Sequence, residues 1–327
     1  MESTTSELTT TANGDIGHAD ADDAERLGFD RVGYLFGHPI VHSMSPLLHQ
    51  TVYAALGLNW AQLPLDSTDI PAFLARARRL SFYGASVTMP HKVAILRHLD
   101  ALAPEAAAVG AANTVFVRTD PATGARTLVG TNTDVIGVRD ALRHNGANLA
   151  GRPTLVLGGG GAARSAVYAL RILLGAADIY IVNRDADEAA AVIAECAARG
   201  LGDGITYIDD PACVPALAPP AAIVACVPDL APATEAERRA RAVLDAFLAS
   251  KHKGILLEMC YHPTPWTAIA RAAEDAGWQV VLGTEAMIYQ GLEQDRYWTG
   301  RPVEELPLDA VRKVVATELA NAMHPSA

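Results

Sequence analysis

Thr154-Leu155-Val156-Leu157-Gly158-Gly159-Gly160-Gly161-Ala162-Ala163 decides the fold. A short strand-like run enters four glycines, and the apolar pattern from Ala162 to Leu174 then reads as a helix. Ile179-Tyr180-Ile181-Val182 reads as the next strand. Strand, glycine turn, helix and strand make a unit that cradles the pyrophosphate of a dinucleotide. Glycines permit the tight turn and let backbone N–H groups approach phosphate, and the helix N-terminus adds donors and a favourable dipole. Gly158, Gly160 and Ala163 take the places of a G-x-G-x-x-A fingerprint, with Gly161 beside them.

The strand ends in Asn183-Arg184-Asp185, where an adenosine ribose is met. A carboxylate there accepts from ribose hydroxyls and repels a 2′-phosphate, and an arginine does the reverse. Arg184 can stack on adenine or pair with phosphate, while Asp185, Asp187 and Glu188 make the surroundings negative. Acids at this place also simply favour a helix start. The charge balance predicts NAD in preference to NADP, with Asn183, Arg184 and Asp185 as cofactor contacts.

Outward from the turn, β and α patterns alternate to about Val280–Leu282, and a second β-α-β series precedes it from Arg31. Such alternation predicts parallel sheets covered by helices, hence an α/β fold of two domains. Val115–Arg118 and Thr127–Gly130 read as a hairpin around Pro121 and Gly124. Ser45-Pro46, Asp69-x-Pro71 and Pro104 read as helix starts, Ser45 being a plausible N-cap. Residues 1–28 are polar and acidic and read as a disordered tail.

Composition agrees with a globular chain. Of 327 residues, 50% are hydrophobic and 19% charged, enough for buried cores and too apolar for a disordered protein. The net charge of -11, without a basic stripe, argues against nucleic acid as a partner. Cys196, Cys213, Cys226 and Cys260 form no CxxC pair and no metal-ligand spacing with histidine, so reduced thiols in the cytoplasm and no bound metal are expected. The longest apolar candidate, near residues 212–228, is broken by Pro215, Pro219 and Pro220, so no membrane span is expected. The N-terminus lacks the basic and apolar regions of a secretory signal.

Four polar patches in the first series carry chemistry. They are Gly37 to Pro46 with Ser43 and Ser45, Ser86 to Lys92 with Thr88, Gly110 to Thr114 with Asn113, and Gly130 to Asp134. Each taken singly reads as ordinary capping, or as a solvated helix face for Lys92. Parallel strands deliver their C-terminal ends to one edge, where ligands of α/β sheets bind. Hydroxyls, an amide, an ammonium and a carboxylate gathered there suit a small polyhydroxylated carboxylic acid.

In order and spacing these motifs resemble the shikimate/quinate dehydrogenase family over nearly all of the chain after the tail. His42 to Pro46 is similar to its H-S-x-S-P signature, Val87 to Lys92 to V-T-x-P-H-K, Gly110 to Thr114 to G-A-x-N-T, and Asn132 to Gly137 to N-T-D-x-x-G. Met287 to Gln290 is similar to M-x-x-Q. The resemblance implies that Ser43 and Ser45 hold a substrate carboxylate. It implies that Thr88, Asn113, Tyr261 and Gln290 contact substrate, and that Lys92 and Asp134 are the catalytic pair. It further implies a substrate-binding domain of residues 29–133 plus 286–327 and a Rossmann-type dinucleotide-binding domain of residues 134–285. The implied reaction is reversible NAD(P)-dependent oxidation of quinate or shikimate to its 3-dehydro acid. Asp185 and Glu188 stand where many NADP users of the family carry threonine and a second arginine, and Ala225-Cys226-Val227-Pro228 replaces N-A-T-P. A non-catalytic metabolite sensor and a dehydrogenase of another cyclic hydroxy acid are the alternatives. The resemblance leaves the oligomeric state open.

Overall fold

The computed structural model describes residues 23–262 and 264–323. Twelve strands among these residues form two six-stranded sheets. The first contains β1 (Arg31–Gly37), β2 (Trp60–Asp66), β3 (Phe82–Val87), β4 (Ala101–Leu102), β5 (Thr114–Thr119) and β6 (Arg126–Thr131), in the order β2-β1-β3-β5-β6-β4. The second contains β7 (Thr154–Leu157), β8 (Ile179–Val182), β9 (Ile205–Tyr207), β10 (Ala222–Ala225), β11 (Ile255–Glu258) and β12 (Gln279–Leu282), in the order β12-β11-β10-β7-β8-β9. The fold is therefore α/β with a domain around each sheet.

All pairings in the second sheet are parallel. Helices cover both faces, so every residue of β7, β8, β10 and β11 is buried. The period of two divides these residues between two cores. Val156, Ile179, Ile181, Val224 and Leu257 fill one, and Leu155, Leu157, Tyr180, Val182 and Leu256 fill the other. Chain order reverses between β7 and β10, which opens a crevice at their C-terminal ends.

The first sheet is mixed, because the hairpin expected around Pro121 and Gly124 forms within it. β5 runs antiparallel to both β3 and β6 because it joins β6 by a short hairpin, where the Asp120 carboxylate accepts from the N–H groups of Ala122 and Thr123. This reversal has a consequence for the site. Asn113, which precedes β5, lies at the same sheet edge as the C-terminal ends of β3 and β6, with Ser86 opposite Thr114 and Thr114 opposite Thr131.

The helices Asp134–His144 and Gly283–Thr299 cross where Gly137 faces Ala286 and Gln290. A Cβ at Gly137 would sit 2.5 Å from the Ala286 carbonyl oxygen, so glycine sets how closely the two helices approach. Trp298, on the second of these helices, donates its indole N–H to the Val115 carbonyl and ties that helix to the first sheet.

Two sequence expectations change. Asp23–Leu27 is a helix, with Ala24 buried and the Tyr34 hydroxyl donating to Asp23 at 2.6 Å, so the tail expected over residues 1–28 gives way to structure by residue 23. The remainder of that tail lies outside the described residues. Ser45 is not an N-cap: Met44 takes that place without a side-chain bond, and Ser45 is the first residue of the helix Ser45–Ala55.

Candidate active site

A cavity of about 180 Å³ opens where the first sheet ends against the helix Gly283–Thr299. Ser43, Ser45, Thr88, Lys92, Asn113, Asp134, Tyr261 and Gln290 all line it. All eight catalytic and substrate residues expected from the sequence thus converge on one cavity. The N-terminus of Ser45–Ala55 lies at its wall, and the peptide dipoles of that helix favour an anion at Ser43 and Ser45.

Lys92 follows β3 on the short helix His91–Ala94, and Asp134 opens Asp134–His144. The Lys92 ammonium donates to Asp134 Oδ2 at 2.6 Å, with side chains 24% and 14% exposed, which replaces the solvated-face reading of Lys92. The N–H of Ala112 donates to the Lys92 carbonyl and couples the loop carrying Asn113 to the lysine.

The Asn113 amide has a determined orientation. Its Oδ1 accepts from the Thr133 N–H at 2.7 Å and the Thr114 hydroxyl at 2.8 Å, so its nitrogen faces the cavity. From there Nδ2 donates to Asp134 Oδ1 at 2.8 Å and to Gln290 Oε1 at 3.1 Å. Asp134 is thereby held on both oxygens, one by Lys92 and the other by Asn113. Tyr261 bonds Ser43, and burial raises its phenol above the usual range.

Ser86, which opens the Ser86 to Lys92 patch but was given no role of its own, and Gln294, which the sequence reading missed, also line the cavity. Ser86 Oγ receives Gln62 Nε2 at 2.9 Å and donates to Gln294 Oε1 at 3.0 Å. Behind Gln294 lies the buried pair His49–Asp295, with His49 Nδ1 3.0 Å from the carboxylate. Burial raises the Asp295 carboxyl and His49 opposes that rise. The available signal for Gln294 was its place one helical turn beyond Gln290, on the same face.

The glycine turn stands at the crevice of the second sheet. Gly158 has a φ of +122°, and a Cβ there would lie 3.1 Å from the Cys226 carbonyl oxygen at the end of β10. Gly160 and Gly161 face open space, and Gly160 precedes the helix Gly161–Tyr168 without a side-chain cap, leaving its first N–H groups for a ligand. Ala163 is buried in the core below. These features fit a dinucleotide pyrophosphate. The Cys226 thiol is raised mainly by burial, with the nearby carboxylates of Glu258 and Asp134 adding to the rise and Lys92 opposing it.

At the end of β8, Asp185 caps Ala186–Ala198 by accepting from the N–H groups of Asp187 and Glu188. Asn183 Nδ2 donates to Glu188 Oε2 at 2.7 Å. Arg184 pairs with Glu237 and is 63% exposed. The capping reading of Asp185 is realised, and Glu188 is the acid beside the turn: a Cβ on Gly159 would meet its side chain at 2.7 Å. Glu258 is a further residue missed from sequence. It ends β11 fully buried, accepts from Thr267 Oγ1 at 2.7 Å and the Cys260 N–H at 3.0 Å, and is pushed up by burial to about 7. An acid closing an apolar strand was its signal.

A parallel sheet of dinucleotide-binding order, joined to an α/β domain that presents a lysine–aspartate pair, defines a two-domain α/β oxidoreductase. Residues 35–115 match the shikimate dehydrogenase substrate binding domain. The chain is 48% identical over 313 residues to the quinate dehydrogenase of Emericella nidulans, covering 89% of this chain and 95% of that protein. It is 35% identical to the NADP(+) shikimate dehydrogenase of Oleidesulfovibrio alaskensis, covering 88% and 95%. The crystal structure of shikimate 5-dehydrogenase from Mycobacterium fortuitum superposes with a TM-score of 0.71 at 34% identity, covering 87% of this chain and 97% of that one. The chain belongs to the shikimate/quinate dehydrogenase family.

Proposed function

We propose that this enzyme oxidises quinate, shikimate or both reversibly to the 3-dehydro acid, with Lys92 and Asp134 handling the proton and NAD preferred over NADP. The observation that carries the reading is the Lys92–Asp134 pair at 2.6 Å, in a cavity whose other polar lining groups are hydroxyls and amides. Ser43 and Ser45 hold the carboxylate at the helix N-terminus, while Asn113, Thr88, Tyr261 and Gln290 hold the ring hydroxyls. The bound nicotinamide supplies the hydride acceptor. Once the Lys92 ammonium has passed a proton to Asp134, its amine takes the hydroxyl proton as hydride leaves the ring carbon, and in reduction the ammonium returns it. Asp134, clamped by Asn113, orients that nitrogen and relays the proton outward.

Residues 29–133 with 286–327 form the substrate domain and residues 134–285 the dinucleotide domain. In support, the strands of the first sheet all fall within residues 31–131 and those of the second within residues 154–282. Glu188 beside Gly159 supports NAD, since a carboxylate close to a 2′-phosphate repels it. We place the enzyme in the cytoplasm; its four cysteines are free, and among the described residues no helix is long and apolar enough to cross a membrane.

The test is formation of reduced nicotinamide from NAD and from NADP with each acid. We expect turnover of at least one acid and a higher kcat/KM with NAD. No turnover of either acid overturns the substrate reading. Equal or better use of NADP overturns the cofactor reading.

A further inference from the structure

Resting on the cofactor reading above, we propose that Glu237 is a specificity-determining residue for the dinucleotide: it engages the guanidinium of Arg184 and so withholds it from a 2′-phosphate, which favours NAD over NADP.

Arg184 follows Asn183 at the end of β8, where the adenosine ribose of a dinucleotide meets such a sheet. A guanidinium there suits a 2′-phosphate, because its planar fork offers two N–H groups to two oxygens. In this enzyme the side chain turns instead to Glu237, 53 residues further along the chain. The acids closer in sequence bond within their own segment. Asp185 Oδ1 accepts from the N–H groups of Asp187 and Glu188, and Glu188 Oε2 accepts from Asn183 Nδ2.

The place of Glu237 is set by the helix it opens. It is the third residue of Glu235–Leu248, and Thr234 is the N-cap. Thr234 Oγ1 accepts the Glu237 N–H at 3.2 Å, while Glu237 Oε2 accepts the N–H groups of Ala233 and Thr234, each at 2.9 Å. That reciprocal cap fixes the carboxylate and leaves Oε1 for Arg184. The two backbone N–H groups, with Arg184, hold the carboxyl down to about 2, so it stays anionic wherever the enzyme works. Its neighbour Arg238 is engaged elsewhere, by Glu235 and the Ala233 carbonyl.

The two dinucleotides meet this arrangement differently. NAD presents ribose hydroxyls, which leave the ion pair intact. NADP presents a phosphate, and to reach it Arg184 must give up Glu237 and leave a fixed carboxylate unpaired.

The test is Glu237→Gln, because glutamine serves the same cap without the charge. Its Tm should therefore stay close to that of the unaltered enzyme. Calorimetry with 2′,5′-ADP and 5′-AMP, which carry the adenosine end alone, reads the effect without turnover, at low ionic strength because salt screens exposed pairs. We expect the affinity ratio of 2′,5′-ADP to 5′-AMP to rise at least about threefold, the scale of an exposed ion pair, and the NADP-to-NAD ratio of kcat/KM to move with it. In an Arg184→Ala background, where there is no guanidinium to release, the same substitution should move the affinity ratio by less than about 1.5-fold. A smaller rise in the first case overturns the inference. So does a larger move in the second, which would mean that the carboxylate repels phosphate directly. Should Glu237→Gln fail to fold, Glu237→Ala on the same helix end takes its place with the same expectations. An unaltered enzyme that uses NADP as well as NAD overturns the preference proposed above, while the rise on substitution still supports the role of Glu237. An enzyme that binds neither dinucleotide overturns both.

Discussion

Lys92 and Asp134 form an ion pair whose meaning depends on what else the carboxylate touches. One oxygen accepts the ammonium and the other the Asn113 amide, so the pair is positioned as well as charged. Removing the amine with Lys92→Ala should lower kcat by roughly 10²–10⁴-fold, the usual contribution of a positioned proton-transfer group. Dinucleotide affinity, measured by fluorescence titration, should remain within a few-fold because Lys92 stands on the first domain. A variant that keeps near-normal turnover would reduce Lys92 to a binding residue. Asp134→Asn keeps the shape and removes the charge, and its rate should also fall.

At the scale of an element, β11 ends in a buried acid. Glu258 is raised from 4.5 to about 7 by burial, against the opposing bonds from Thr267 and Cys260. A carboxyl with a raised pKa binds its proton more tightly in the folded state than in the unfolded one. Its contribution is fully present below 4.5 and is lost as pH rises through 7, a change on the order of 3 kcal/mol. Stability should therefore decline across this interval, superimposed on the response of other groups. Glu258→Gln should remove that component, making the Tm flatter between pH 5 and pH 8 than in the unaltered protein. Identical pH profiles would show that Glu258 titrates normally. Since Thr267 caps Ala268–Asp275 while bonding Glu258, the acid also anchors the helix that follows β11.

The whole molecule brings its two sheets to one site through paired helices. Asp134 and Gln290 come from segments far apart in sequence, and they meet because Gly137 lets Asp134–His144 press against Gly283–Thr299. Gly137→Ala places a methyl 2.5 Å from a backbone oxygen, which must move. Overpacking of this kind costs about 1–3 kcal/mol. The substitution should lower the midpoint of urea unfolding and raise KM for the acid, because Gln290 shifts relative to Asn113. An unchanged midpoint and KM would mean that the crossing has slack.

The sequence alone determined the features set by local chemistry. Four glycines after a strand announce a phosphate turn, since few other residues permit that backbone. Periodicity of two and of 3.6 gave the order of strands and helices along the chain, and six site residues were readable as hydroxyl, amide, ammonium or carboxylate patches, while Tyr261 and Gln290 came only through the family resemblance. Tertiary structure decided which way these groups face and which are already occupied. Asp185, read from the sequence as a ribose contact, also caps a helix, because its Oδ1 finds two N–H groups within its own turn. Ser45 looked like a cap but gives its proton to Gln62, a contact across the sheet that no local pattern encodes. Ser86, Gln294 and the His49–Asp295 pair were silent for the same reason. Each is an ordinary polar residue in its own segment, and its role arises only where distant segments bury these side chains together, so that every donor must find a particular acceptor.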